Sequence, residues 1–376
     1  MIRSQRVLAA AALLLAACSR DPYRVGVWTG PTGANVAKMA ESEVNIKTGV
    51  AGRRMVTRVV SQRTVSFNEL TPEALRISLD SMASDTMVRG VVMRMTDSIT
   101  EEAAQKFESL GIPYLITTPV SAAYMETHPH AFLLVPTIEE QSQFLVAQAL
   151  RTPKPQRVAI INVREPHADA LAAATTRELA SHGITPVFAT SFSQAADRYN
   201  ILAKAEETTT HKPTVIFFIG RTPSLFEMYG TMVNRLPDAA VIGSDLVESF
   251  HLYGNPGQRY TGVRFVRLFD PRSSDSLTVG LRDRLWGWIG RDELNSEAAV
   301  TYDAIKGMAE LMNQGALSRD SLNKVLRSGV QLKGILGTWQ FDENRRARRA
   351  LQLAEVKADR IVEVKADETA LARKPD

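Results

Sequence analysis

Val158-Ala159-Ile160-Ile161 and Val215-Ile216-Phe217-Phe218-Ile219 decide the fold. Both are apolar without alternation. Such runs suit strands buried on both faces, and parallel sheets bury both faces of their strands. The runs extend to Val163 and Gly220, and five more short apolar runs accompany them: Tyr23 to Trp28, Gly90 to Met95, Tyr114 to Thr117, Ala240 to Gly243 and Gly262 to Val266. Helical patterns lie between. Ser98-Ile99-Thr100-Glu101 reads as a capping box, followed by Ala103, Ala104, Phe107 and Leu110 at helical spacing and a stop at Gly111 and Pro113. Thr137-Ile138-Glu139-Glu140 is a second box, opening a helix that ends before Pro153. Leu171 to His182 ends at Gly183, and Ser224 to Leu236 ends at Pro237. From Ser296 a long helix puts Ile305, Met308, Ala309 and Met312 on one face and stops at Gly315. Strand, helix, strand, repeated, predicts doubly wound α/β units. There are two series, one from Tyr23 to about Thr137 and one from Val158, after the Pro-containing stretch Arg151 to Arg157.

The amino-terminal end bears on compartment. Arg3 and Arg6 precede an apolar run from Val7 to Ala17, too short for the about 20 residues a bilayer span needs. This is the layout of a secretory signal. Leu15-Ala16-Ala17-Cys18 resembles the bacterial lipobox, which implies cleavage before Cys18 and acylation of that residue. An ordinary cleavage site beside an incidental cysteine is the plainer alternative. Cys18 is the only cysteine, so no intramolecular disulfide can form. A mature chain of about 350 residues exceeds one core and predicts two packed units.

Composition narrows the function classes. The chain is 44% apolar and 23% charged, with a formal net charge of +4. Interspersed charges of that size do not argue for nucleic acid. The dense cluster Arg345, Arg346, Arg348 and Arg349 reads either as a solvated turn or as a contact for anionic lipid headgroups. Gly26, Gly30 and Gly33 lack the dinucleotide spacing, and neither a P-loop nor G-x-S-x-G occurs. Ser321-Leu322-Asn323-Lys324 spells Ser-x-x-Lys without its companion motifs. His128-Pro129-His130 has no further ligands placed nearby. No catalytic group, metal or cofactor is expected.

With these elements in place, the chain resembles the type I periplasmic binding proteins. Within them it is similar to the branched-chain amino-acid-binding (receptor-family ligand-binding) class of ABC-transporter substrate-binding proteins. The resemblance rests on motifs in the family's order: Val25-Gly26-Val27-Trp28-Thr29-Gly30-Pro31, Gly90-Val91-Val92 followed by Gly111-Ile112-Pro113-Tyr114-Leu115-Ile116, Phe132 to Glu140, Val158 to Ile161, Gly243-Ser244-Asp245, Thr301-Tyr302-Asp303-Ala304 and Gly337-Thr338-Trp339-Gln340-Phe341-Asp342. It implies two Rossmann-like lobes joined by three hinge crossings. The expected division is a signal peptide over 1–17, a lipidated linker over 18–22, a first lobe of 23–137 and 270–333, a second of 138–269 and 334–364, and a tail over 365–376.

The resemblance also implies a ligand held between the lobes. Open α/β sheets bind ligands beyond the carboxyl ends of their strands, where helix amino-termini favour anions. In the loop after Met93 and Arg94, Thr96 keeps the family's hydroxyl, while Asp97 or Ser98 equally serves as a helix cap. In the next loop Val120 offers backbone and Ser121 a hydroxyl. His167 stands where relatives carry an aromatic clamp, or is a solvent-exposed loop histidine. Arg221 follows the Phe217–Gly220 strand at a cleft position. Asp245 either meets an ammonium group or caps the next helix, and Trp28 either stacks on the ligand or packs in the core. Arg94 and Arg221, if they face the cleft, favour a more anionic or polar ligand. The implied function is capture of a small polar, amino-acid-like ligand for an ABC permease. That places the protein in the periplasm or at the cell surface, lipid-anchored to the inner or outer membrane. The alternative is a ligand-sensing or scaffolding envelope lipoprotein, such as a cell-wall synthase activator. Ser19, after the lipobox cysteine, suits the outer membrane that this alternative requires.

Overall fold

A computed structural model describes residues 21–61, 71–95, 98–151, 157–193, 196–248, 252, 260–358 and 360–364. Cys18, Thr96, Asp97 and the expected tail lie outside the described residues. The chain forms two doubly wound sheets. The first holds β1 (Tyr23–Thr29), β2 (Met55–Ser61), β3 (Val88–Met93), β4 (Tyr114–Ile116) and β5 (Ala131–Leu133) in the order β2-β1-β3-β4-β5, all parallel. The second holds β6 (Val158–Arg164), β7 (Phe188–Ser193), β8 (Val215–Ile219), β9 (Ala240–Gly243) and β10 (Arg264–Arg267). A small antiparallel pair follows, β11 (Leu332–Gly334) with β12 (Gly337–Trp339). Then β13 (Gln352–Val356) and β14 (Ile361–Glu363) extend the second sheet antiparallel, giving β14-β13-β10-β9-β8-β6-β7.

The unalternating runs lie where their composition requires. All five residues of β8 are buried, flanked by β6 and β9. Helix ends follow local chemistry. Thr137 accepts from the Glu140 amide while the Glu140 side chain accepts from the Thr137 amide, the full capping box. The helix Ser98–Ser109 starts at Ser98 itself, one residue earlier than a Ser98 cap would allow. Ser321 closes a box with Ser318, which accounts for its place in the Ser-x-x-Lys match. His128 stacks on Tyr124 at 3.8 Å, and His130 Nδ1 lies 3.2 Å from Asn323 Oδ1.

Two separate apolar cores define the lobes. The chain leaves the first core after Val135 and joins the second at Ile138. It returns between Val266 and Phe269. The third crossing differs from the expectation. The resemblance places residues 334–347 in the second lobe, but Trp339, Phe341 and Ala347 are buried in the first core. Phe341 packs on Phe132 at 5.1 Å and on Trp339 at 5.5 Å. The β11–β12 hairpin folds Trp339 back onto the helix Ser296–Asn313, where Gly307 makes room. A Cβ there would come within 2.7 Å of the indole ring. The crossing therefore falls at about residues 348–351, before Leu353 enters the second core.

The arginine cluster sits at this crossing and is largely turned inward. Arg345 donates to the carbonyls of Ala131 and Met125. Arg346 and Arg348 face Glu140 and Asp342. Arg349 is buried beside Asp303. Arg348 alone of the four is exposed, so the cluster is neither a free turn nor a lipid-facing patch.

Candidate functional site

A cavity of about 270 Å³ lies between the lobes. Its first-lobe wall comes from the carboxyl ends of β3 and β4 and two helix starts: Arg94, Met95, Thr117, Thr118 and Pro119, with Thr32 and Asn295–Glu297. Its second-lobe wall is Gln141, Glu165, His167, Arg221, Asp245, Leu246 and Glu248. The crossings close the floor with Val135, Pro136, Arg267, Leu268 and Leu351. This is where the strand ends of both sheets meet.

Local sequence sets each wall. Pro31 occupies the first turn of the helix Pro31–Lys47, turning the chain sharply after β1. Thr29 Oγ1 and the Gly30 amide then donate to Glu297 Oε1 at 3.2 and 3.3 Å, and Glu297 Oε2 lies 3.4 Å from Arg94 Nη1. In the second lobe Pro166 starts a helix directly after β6, which puts His167 in its first turn. His167 Nε2 lies 3.3 Å from Asp245 Oδ1. Asp245 opens a short 3₁₀ turn capped by Ser244, whose hydroxyl accepts from the Leu246 amide. Arg221 Nη2 donates to Glu165 Oε2 at 3.2 Å. Across the cleft, the Ser296 amide donates to Glu248 Oε1 at 3.0 Å. The cavity thus carries charges of both signs in pairs.

Burial alone would lower the pKa of His167, but the hydrogen-bonded Asp245 carboxylate, helped by Glu165, raises it despite Arg94. For Asp245, burial pushes the pKa up. The charge and hydrogen bond of His167, the Gln141 side chain and Arg94 together bring it below its ordinary value. His167 therefore contributes stability fully present below its ordinary 6.5 and lost as pH rises through its raised folded value. Asp245 contributes stability present above its ordinary 3.8 and lost as pH falls through its lowered folded value. His167→Gln should flatten the alkaline decline of the melting temperature. Melting curves between pH 5 and 9 test this, and an unchanged alkaline slope would refute the pairing.

Of the residues expected from sequence, His167, Arg221 and Asp245 line the cavity. His167 is 8% exposed, not a solvent-facing loop residue. Val120 and Ser121 line an adjoining recess of about 370 Å³ with Met95, Pro119, Tyr124 and Ile138, which His167 also borders. The Ser121 hydroxyl accepts from the Tyr124 amide as a helix cap. Trp28 is corrected. It is 1% exposed in the first core, because β1 is an interior strand buried on both faces, so its ring packs and does not reach the cleft. Thr96 lies outside the described residues. Sequence reasoning missed Thr32, Gln141, Glu165, Glu248, Arg267 and Asn295–Glu297. Only Thr32 and Glu165 carried a signal, a strand end followed by a proline at the helix start. Among the described residues no cluster of three His, Cys, Asp or Glu could hold a metal, and no helix is long and apolar enough to cross a membrane.

Comparison with known proteins gives one sequence match and a consistent set of folds. The profile of the family described as periplasmic binding protein matches residues 26–360. A search of curated protein sequences finds no match. Among solved structures, the chain is similar to a leucine-binding protein from Thermotoga maritima, with a TM-score of 0.75 and 14% identity over 91% of this chain and 97% of that one. It is also similar to a branched-chain amino acid transporter substrate-binding protein from Streptococcus pneumoniae, solved with isoleucine (TM-score 0.75, 13% identity, 92% and 100% covered). A third is an ABC-transporter solute-binding protein from Rhodopseudomonas palustris, solved with 3,4-dihydroxybenzoic acid (TM-score 0.75, 15% identity, 92% and 97% covered).

Proposed function

The chain belongs to the periplasmic binding protein family, and from that premise we propose that it captures a small carboxylate-bearing, amino-acid-like solute between its lobes for an ABC importer. The carrying observation is the interlobe cavity, whose walls present Arg94 and Arg221 against Asp245, Glu165 and Glu297. A zwitterion can join such pairs with no change in net charge, whereas a lone ion leaves a buried charge uncompensated. A volume of about 270 Å³ suits a metabolite. The isoleucine bound by one similar structure belongs to this class, and the 3,4-dihydroxybenzoic acid bound by another shares only its carboxylate. Hinge movement at the three crossings would close the lobes on the solute.

Calorimetry with leucine, isoleucine and aromatic acids tests the reading. Arg221→Ala should weaken an anionic or zwitterionic solute by about 1.5–3 kcal/mol, roughly ten- to a hundredfold. Asp245→Asn should matter only where the solute carries an ammonium group. Ser121→Ala should act through its helix cap and change stability more than affinity. If no solute binds, the scaffolding alternative gains.

The family is extracytoplasmic. Within that compartment we propose lipid anchoring through Cys18, on the strength of Leu15-Ala16-Ala17-Cys18. Cys18→Ala should shift the protein from the membrane to the soluble fraction and abolish labelling by a fatty-acid analogue. A variant still membrane-bound and labelled would end that proposal.

A further inference from the structure

Arg267 is the last residue of β10, where the chain leaves the second lobe. It forms part of the cavity wall, yet its side chain is 0% exposed. Two of its three nitrogens are engaged at the hinge. Nε donates to Gln352 Oε1 at 3.2 Å, directly opposite on β13, just past the third crossing. Nη1 donates to Asp270 Oδ1 at 3.0 Å, just past the second crossing. Nη2 is buried and has no hydrogen-bond partner. Arginine cannot shed its proton, so a buried N–H of this kind is destabilising until an acceptor arrives.

The surroundings make the position a junction. The Leu268 amide donates to Ser296 Oγ at 3.1 Å, and the Ser296 amide donates to Glu248 across the cleft. The second crossing, the third crossing, the first turn of the helix Ser296–Asn313 and the cavity therefore meet around Arg267. Arg221 Nε also lacks a partner, but that side chain is 36% exposed and lies away from the crossings.

We propose that Arg267 receives the carboxylate of the captured solute through Nη2, which lobe movement at the crossings uncovers, and links its arrival to the hinge, because the same guanidinium ties Asp270 to Gln352. This inference rests on the solute-capture reading. It assigns the carboxylate to the hinge floor of the cavity and not to the lobe walls alone.

The test uses the purified full chain and calorimetry with acids paired to their amides: leucine with leucinamide, benzoate with benzamide, succinate with succinamide. Wild type should prefer at least one acid over its amide by about tenfold or more. Arg267→Gln should bind that acid and its amide equally. Arg267→Lys keeps the charge but not the planar fork, and should lose about tenfold in acid affinity. Asp270→Asn breaks the hinge tie without removing the donor and should keep the acid preference. Circular dichroism identifies any variant that has lost its fold; if Arg267→Gln does so, the folded Arg267→Lys decides. Small-angle scattering should show the acid compacting wild type but not Arg267→Gln. Undiminished acid preference in both Arg267 variants would overturn this proposal and leave solute capture standing. If wild type binds none of the six compounds, the solute-capture reading falls, and the role of Arg267 with it.

Discussion

Asp303→Ala should destabilise the protein by about 3–5 kcal/mol, the range for breaking a buried charge pair from one side. Asp303 lies on the helix Ser296–Asn313 with its side chain 0% exposed. Its carboxylate accepts from the Ile335 amide at 2.7 Å and the Leu336 amide at 3.1 Å, fixing the β11–β12 turn. Arg349 Nη2 stands 3.8 Å away, on a side chain 5% exposed. Burial raises the Asp303 pKa and outweighs the amides and Arg349, so the ion pair itself adds little. Its removal is a different matter. Alanine leaves two amides buried without their acceptor and the Arg349 guanidinium buried without its counter-charge. Asp303→Asn keeps an acceptor and should be milder. Gly334 reports on the same packing, since a Cβ there would lie 2.3 Å from the Asp303 carboxyl. Urea denaturation reads the effect as a lower midpoint at constant slope. A loss under about 1 kcal/mol would show that water reaches and replaces these contacts.

What the sequence revealed follows burial. Interior parallel strands such as β6 and β8 are apolar on both faces and stand out in one dimension. The edge strands β2 and β7 do not. β2 mixes buried with half-exposed residues, β7 buries only Phe192, and polar side chains such as Arg58 and Thr190 interrupt the run. The third crossing was misplaced for a related reason. Gly337-Thr338-Trp339 is recognised only as part of a family motif, and its choice of lobe depends on Gly307, distant in sequence. The cavity divides in the same way. His167, Arg221 and Asp245 follow strand ends directly and could be found by the rule for open sheets. Arg267 and Glu297 reach the cavity only because the chain crosses between lobes, and no local pattern marks them, while Glu248 closes the short turn that Asp245 opens after β9. Trp28 shows the limit of that rule, since a residue at a strand end can still face the core.

Phe217→Ala should remove about 3–5 kcal/mol from the second lobe while leaving the first nearly intact. Phe217 is fully buried on β8, in register with Ile160 on β6 and Ile242 on β9. A side chain so enclosed leaves a cavity that rigid parallel strands on either side cannot collapse to fill. The two cores share no side chain, so the lost packing has no direct route into the first. The lobes touch through crossings and through polar contacts such as the Ser296 amide to Glu248, each worth about 1 kcal/mol and too weak to force both cores to unfold together. Hydrogen exchange read by mass spectrometry separates the two regions. Peptides from β6, β8 and β9 should exchange faster in the variant, and those from β1, β3 and the helix Ser296–Asn313 should not. Equal acceleration in both sets would mean that the three crossings couple the cores into one cooperative unit, and that hinge motion must work against that coupling.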